Sequence, residues 1–217
     1  MLTFSRGRRG ERTPASLAAL AREGLKLLRS SLPATLELRT EHPDFGSLGV
    51  TPKAGWSHAD LLGPLREFGA PLAIDTDVNG AALAEGRWGA AQGCDQFVYI
   101  TVGTGIGGGA IVDGRPVHGL VHPEIGHVSV VRQPGDDFVG SCPFHGDCFE
   151  GMASGPAVAA RWGAGAETLT GAERDRAVDL EGAYIACGIR NIVYTLAPQR
   201  IVIGGGISEM PGLVERV

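Results

Sequence analysis

The segment from Glu124 to Glu150, EIGHVSVVRQPGDDFVGSCPFHGDCFE, constrains this chain more than any other stretch. It places Cys142, His145 and Cys148 at Cys-x2-His-x2-Cys spacing, with His127 fifteen residues upstream of the first thiol. Two thiols and two imidazoles so arranged are the donor set of a closed tetrahedral zinc site. If one ion takes all four, the loop between them must fold back on itself whatever the rest of the chain does. The plainer alternative is that these side chains pack or decorate a loop. Pro143, Gly146 and Asp147 make the segment a turn-rich knuckle with little core in which to hide thiols, and this favours the metal.

Composition sets the frame around that knuckle. At 217 residues the chain has room for one large domain or two small ones. A hydrophobic fraction of 43% supports a real core, and a formal charge of −5 argues against general affinity for nucleic acid. Its 34 glycines exceed ordinary usage of about 7%. They fall in short motifs rather than a repeat, so they mark special backbone turns and not a fibrous protein. Cys94 and Cys187 read as small buried apolar residues, and the four cysteines together fit a reducing cytoplasm. No apolar run approaches the roughly 20 residues that a membrane helix needs.

Taken in order, Arg6, Arg8, Arg9 and Arg12 make a basic arm with no apolar segment behind it, which reads as a solvated, disordered terminus. Helical periodicity runs from Pro14 to about Leu32. Residues 33–57 read as loop, with a short strand at Leu36 to Leu38. A helix is expected from His58 to Phe68, capped by Ser57, and a buried strand over Pro71 to Asp75. A helix over Gly80 to Ala91 follows, then strands at 97–102 and 109–112 joined by a glycine turn. Helices over Ser154 to Trp162 and Arg176 to Leu196 precede a strand at 200–204. This alternation predicts an α/β architecture.

Three groups of residues carry chemistry. Gly103, Thr104, Gly105 and Gly107, within the run ending at Gly109, offer backbone amides and a hydroxyl to an anion, although an ordinary glycine hairpin has the same spelling. It is not the dinucleotide fingerprint, since a strand follows where a helix should begin. Asp77, with Asp75 and Asn79 beside it, sits at a strand-to-helix junction. There a carboxylate can act as general base for an attacking hydroxyl, or simply cap the helix. Glu124, His127 and Glu150 surround the knuckle, as hydroxyl acceptors or as supports for the metal ligands.

In order and spacing, DTDVNGAALAEGRWGAA, TVGTGIGGGAIVDG, HPEIGHV and CPFHGDCFEGMASGPA resemble the ROK-family sugar kinases, over about residues 45 to 210. Thr76 before the aspartate, His145 in place of a cysteine, and TPKAGW at 51–56 look most like the bacterial fructokinases. The resemblance implies an actin-like, ribonuclease H-like ATPase fold and ATP-dependent phosphorylation of fructose or a related hexose. Asp77 would be the general base, and Asn79, Glu124, His127 and Glu150 would bind the sugar. Gly103 to Gly107 would form a phosphate loop, and Gly204, Gly205 and Gly206 would lie toward the nucleotide. It further implies structural zinc on His127, Cys142, His145 and Cys148, magnesium with ATP, a cytoplasmic location, and a homodimer as one option for assembly.

The resemblance has two departures. Family members open with a strand and an Asp-x-Gly-Gly-Thr loop, which residues 1–50 lack, and they continue well past the position of Val217. The chain therefore reads as a kinase core over 46–217 behind an atypical segment 1–45, as a truncated or frameshifted coding region would give. Two alternatives stay open: a sugar-binding remnant without turnover, and a sugar-responsive repressor of the same family, whose DNA-binding module residues 1–50 are too short to supply.

Overall fold

The computed structural model describes residues 2–4, 59–60, 62–67, 69, 74–119 and 122–217. The chain divides into two compact units, one made of Met1–Gly7 with Thr76–Val217 and the other of Arg8–Asp75. In the second unit, helix α1 (Gly63–Arg66) is a single turn. Asp60 opens it, its carboxylate accepting the amides of Leu62 at 3.1 Å and Gly63 at 2.7 Å. The helix expected from His58 therefore starts five residues later, with Pro64 in the first turn, where a missing N–H costs nothing. Ile74 and Asp75 are not in a strand. Ser57, Pro71 to Ala73, the helix expected over 14–32, the strand at 36–38 and the arginines of the basic arm lie outside the described residues.

The first unit is built on a five-stranded sheet. In chain order its elements are β1 (Leu2–Phe4), α2 (Asp77–Trp88), β2 (Phe97–Val102), β3 (Ile106–Val112), β4 (Arg115–Pro116), α3 (Phe149–Ala153), α4 (Gly155–Trp162), α5 (Gly171–Leu196) and β5 (Arg200–Gly204). Strand order is β1-β5-β2-β3-β4, with β1, β5 and β2 parallel and β3 and β4 antiparallel to their neighbours. The disordered start expected of the chain is corrected here: Leu2, Thr3 and Phe4 pair with Ile201, Val202 and Ile203.

Alternation along the strands sorts two cores onto the two faces. Val98, Ile100 and Val102 of β2 and Ile201 and Ile203 of β5 pack with Phe149, Met152, Val158, Tyr184 and Ile185 of α3, α4 and α5. Phe97 and Val202 point the other way, toward Ala82 of α2 and Ala91. Helix α5 starts at Gly171 rather than Arg176, because its polar first turn carries no apolar periodicity to read. It ends at Ala197, which takes a left-handed φ of 44° immediately before Pro198.

The glycine run turns out to be two things. Only Gly103, Thr104 and Gly105 form the turn, whereas Gly107, Gly108 and Gly109 lie inside β3, opposite Thr101, Ile100 and Tyr99. A Cβ on Gly109 would sit 2.4 Å from the carbonyl oxygen of Val78, and one on Gly108 would sit 2.8 Å from Ile125 Cδ1. The bare backbone of β3 is what lets α2 lie directly on the sheet. Gly109→Ala is therefore expected to cost about 1–3 kcal/mol through overpacking. Gly80→Ala, on the same helix with nothing within 4 Å, serves as the control. Thermal melts followed by circular dichroism would check the pair, and an unchanged midpoint for Gly109→Ala would contradict so close an approach.

Candidate functional site

The knuckle brings its four expected ligands together. One donor atom from each of His127, Cys142, His145 and Cys148 lies within 4.8 Å of all the others. His127 Nδ1 is 3.4 Å from Cys148 Sγ, and Cys142 Sγ is 3.8 Å from both His127 Nδ1 and His145 Nδ1. A tetrahedral ion about 2.0–2.3 Å from each donor requires separations of roughly 3.3–3.8 Å, which these three contacts match. Local backbone explains the closure. Cys142 and Gly146 exchange amide–carbonyl bonds of 3.2 and 3.0 Å, and Gly146 takes φ 66° to make the turn. Phe149 N donates to Val128 O at 2.9 Å, drawing Cys148 up to His127. Both thiols are buried, and burial pushes that of Cys148 up to about 11 against a lowering hydrogen bond from Gly151. A cation bound beside the Cys148 thiol would favour its ionised form.

The knuckle reaches the glycine turn at Ile106. Its amide donates to Glu150 Oε2 at 2.9 Å, and a Cβ on Gly126 would stand 1.8 Å from its carbonyl oxygen. Glu150 lies in α3, which Cys148 opens, and Gly126 lies in the 3-10 turn Ile125–His127 that Glu124 precedes. The start of β3 thus gathers Glu124, His127, Glu150 and the turn Gly103–Gly105 into one neighbourhood. Gly103 O also accepts the amide of Gly155 at 2.7 Å, tying the turn to the head of α4. The second glycine turn arrives at the same end of the sheet, since a Cβ on Gly103 would be 3.9 Å from Gly206 N. Gly205, with φ 94°, passes so close to β2 that a Cβ would meet Val102 O at 2.4 Å.

Asp77 is the first residue of α2 and is exposed. The capping expected of Asp75, Asp77 or Asn79 is done by Thr76, whose hydroxyl accepts the Asn79 amide at 3.2 Å. One oxygen of Asp77 accepts the adjacent Val78 amide at 3.0 Å. Val78 rests on Gly107, which places Asp77 beside the end of the sheet that carries the glycine turn. Asn79 is only 2% exposed, its amide nitrogen 3.4 Å from His118 Nε2. His122 Nε2 pairs with Glu124 Oε1 at 2.9 Å. Neither histidine stands out in the sequence reading. The spelling HGLVHPE, two imidazoles just upstream of Glu124, was the available signal.

A buried ionic cluster fixes the knuckle from behind. Arg161 of α4 reaches Glu181 Oε1 at 2.9 Å, Asp136 Oδ2 at 3.3 Å and the carbonyl of Met152 at 2.9 Å, and its guanidinium lies 4.5 Å from the Phe138 ring centroid. Tyr184 donates to the same Asp136 oxygen. One arginine thus joins the knuckle loop, α3, α4 and α5. Its partners lie 20 and 25 residues away, beyond any local spacing signal. Glu181 is fully buried, its Oε2 meets no hydrogen-bond partner, and burial pushes its carboxyl up to about 8 against the pull of Arg161. A carboxyl raised on folding stabilises the fold fully below its unfolded value, and that contribution is lost as pH rises through about 8. Glu181→Gln should remove this dependence. The stability of the variant relative to wild type is expected to rise by a few kcal/mol between pH 5 and 8.5 in urea unfolding. A difference that does not change with pH would mean that Glu181 is ionised throughout.

Comparison with known proteins identifies the family and the fold. The ROK family model matches residues 40–217. The fructokinase of Zymomonas mobilis subsp. mobilis is 46% identical over 182 residues, which is 83% of this chain and 60% of that protein. A putative fructokinase of Bacillus subtilis is 49% identical over 166 residues, 76% of this chain and 55% of that one. Among solved structures, the ROK hexokinase from Thermus thermophilus aligns with a TM-score of 0.61 and 30% identity over 74% of this chain and 60% of its own. A ROK family glucokinase from Streptomyces griseus, in complex with glucose and AMPPNP, aligns with a TM-score of 0.61 and 27% identity over 78% of this chain and 63% of its own. The chain thus spans less than two thirds of the length of each of these proteins. The likeness gives the sheet its class, the actin-like ATPase type of α/β fold.

Proposed function

This chain belongs to the ROK family, and from that premise we propose that it is the core of an ATP-dependent sugar kinase acting on fructose. The observation that carries the proposal is the convergence at Ile106, where the glycine turn meets Glu150 on one side and the Glu124–His127 segment on the other. A kinase needs a phosphate cradle and a set of hydroxyl acceptors side by side, and few other chemistries do. The fructokinase names of the relatives support fructose as the sugar. Residues 46–217 would make up the kinase core and 1–45 an atypical segment, whose Leu2–Phe4 adds an edge strand.

In this reading Glu124, His127 and Glu150 bind the sugar hydroxyls. The Nδ1 of His127 faces the thiols, which leaves Nε2 free to meet a hydroxyl. Gly103, Thr104 and Gly105 receive the phosphates, and Gly204 to Gly206 border the nucleotide. The sugar hydroxyl oxygen attacks the γ-phosphorus, the bond from that phosphorus to the β,γ-bridging oxygen breaks, ADP leaves, and Asp77 takes the hydroxyl proton. Magnesium with ATP would neutralise charge on the phosphates. Zinc on His127, Cys142, His145 and Cys148 would be structural, because four protein ligands leave no open position. Four free cysteines and a need for ATP suit the cytoplasm. Among the described residues no helix is long and apolar enough to cross a membrane.

The test is ADP release on this chain with fructose, mannose and glucose in parallel. Turnover led by fructose supports the proposal, and turnover led by glucose or mannose would reassign the substrate. Sugar binding without turnover would favour a binding remnant, and a chain that does neither would overturn the proposal.

A further inference from the structure

We infer that Cys142 and Cys148 are a site of reversible oxidative modification, a thiol pair that closes to a disulfide under peroxide and thereby dismantles the metal site. The inference goes beyond the kinase reading, and only its effect on sugar rests on that reading. Its basis is the packing and the make-up of the ligand set. The sulfurs of Cys142 and Cys148 lie within 4.8 Å of one another, in one cluster with His127 and His145. The antiparallel bridge between Cys142 and Gly146 folds the chain back, which brings Cys148 across the turn to Cys142. The other two cysteines stand apart from this cluster. Cys94 packs with Phe97 and Val202 on the other face of the sheet, and Cys187 of α5 contacts Gln133 and Arg190.

A metal takes imidazole as the neutral ring, so the two thiolates are the anionic members of the set. One two-electron oxidation removes both of them together. The two thiolates give up two electrons to hydrogen peroxide, the sulfur–sulfur bond forms as the O–O bond breaks, and two protons from solvent complete two waters. Two neutral imidazoles remain, too few for a closed tetrahedral site. A site of four cysteines would keep two anionic ligands after the same event. Access is from one side: both thiols are buried, whereas His145 is the exposed ligand and Phe144 beside it is 74% exposed. A molecule as small as hydrogen peroxide can approach there. The bridge ties Cys148 to Cys142 and lets His127 go. Glu124 immediately precedes the turn that His127 ends, so this half of the sugar site loosens, while Glu150 stays on the helix that Cys148 opens.

The experiment treats the full chain, loaded with zinc, with hydrogen peroxide. Free thiols are followed by alkylation and mass spectrometry, zinc release with a metallochromic indicator, and fructose affinity by calorimetry. Free thiols should fall from four to two, with zinc released in step and peptide masses joining Cys142 to Cys148. Fructose binding should weaken by roughly tenfold or more, and dithiothreitol with added zinc should restore thiols, metal and affinity. A Cys94→Ser, Cys187→Ser double variant should respond as wild type does. Zinc that stays bound and thiols that stay free, under peroxide that oxidises glutathione in the same tube, would overturn the inference. So would a bridge that recruits Cys94 or Cys187, or irreversible sulfinic acid at Cys142 or Cys148. Wild type that forms the bridge and releases zinc yet binds none of fructose, mannose and glucose would overturn the kinase reading and support this inference.

Discussion

Asp77→Asn is expected to slow fructose phosphorylation by roughly 10²–10⁴-fold while fructose affinity stays within a few-fold of wild type. The substitution is clean because the structural work at this helix end is done elsewhere. Thr76 holds the Asn79 amide, and the Val78 amide that Asp77 accepts can be accepted as well by an asparagine oxygen. What asparagine cannot do is take the proton of an attacking hydroxyl. Thr76→Ala supplies the reciprocal control, since losing that cap should cost about 1 kcal/mol of stability. Initial-rate kinetics on both variants would separate the roles. An Asp77→Asn protein with near-normal turnover would remove Asp77 from the chemistry.

Removing the metal is expected to have the larger structural effect. Zinc analysis should find one ion per chain, and Cys148→Ser or treatment with a strong chelator should abolish it. Zinc contributes about 10–16 kcal/mol in isolated zinc-finger peptides, comparable with the roughly 5–15 kcal/mol that holds a whole domain folded. Even partial loss of that contribution should lower the thermal midpoint by roughly 10 °C or more. Function should go with it for a geometric reason. Cys148 opens α3, which carries Glu150 to the amide of Ile106, and His127 ends the turn that Glu124 precedes. Releasing the ion frees both carboxylates at once, so sugar affinity should fall with the midpoint. A metal-free chain that melts and binds sugar normally would refute the structural role.

Much of this site was legible in one dimension. The candidate ligand set follows from the chemistry of thiols and imidazoles at short spacing, and those four donors converge in space. The helix after Asp77, strand β2, helix α4 with Ser154 as its cap, and strand β5 follow from periodicity and punctuation, because such signals act within a few residues. The short helix α1 and the true start of α5 were misplaced, since polar first turns carry no apolar period.

What the sequence by itself determined was the inventory: which donors could share an ion, which runs could bury a face, and which glycines were too dense to be accidental. Only the tertiary structure decided what each member of that inventory does. It divided the glycine run into a turn at 103–105 and a packing surface at 107–109, because whether a missing Cβ serves a ligand or a neighbouring helix depends on what approaches it. It set His118 on Asn79 and Arg161 between Asp136 and Glu181. It also gave Leu2–Phe4 a place beside a strand nearly two hundred residues away. Contacts of that kind have no local spelling. They form because burying charge and backbone polar groups demands partners, and the fold supplies those partners from wherever the chain brings them.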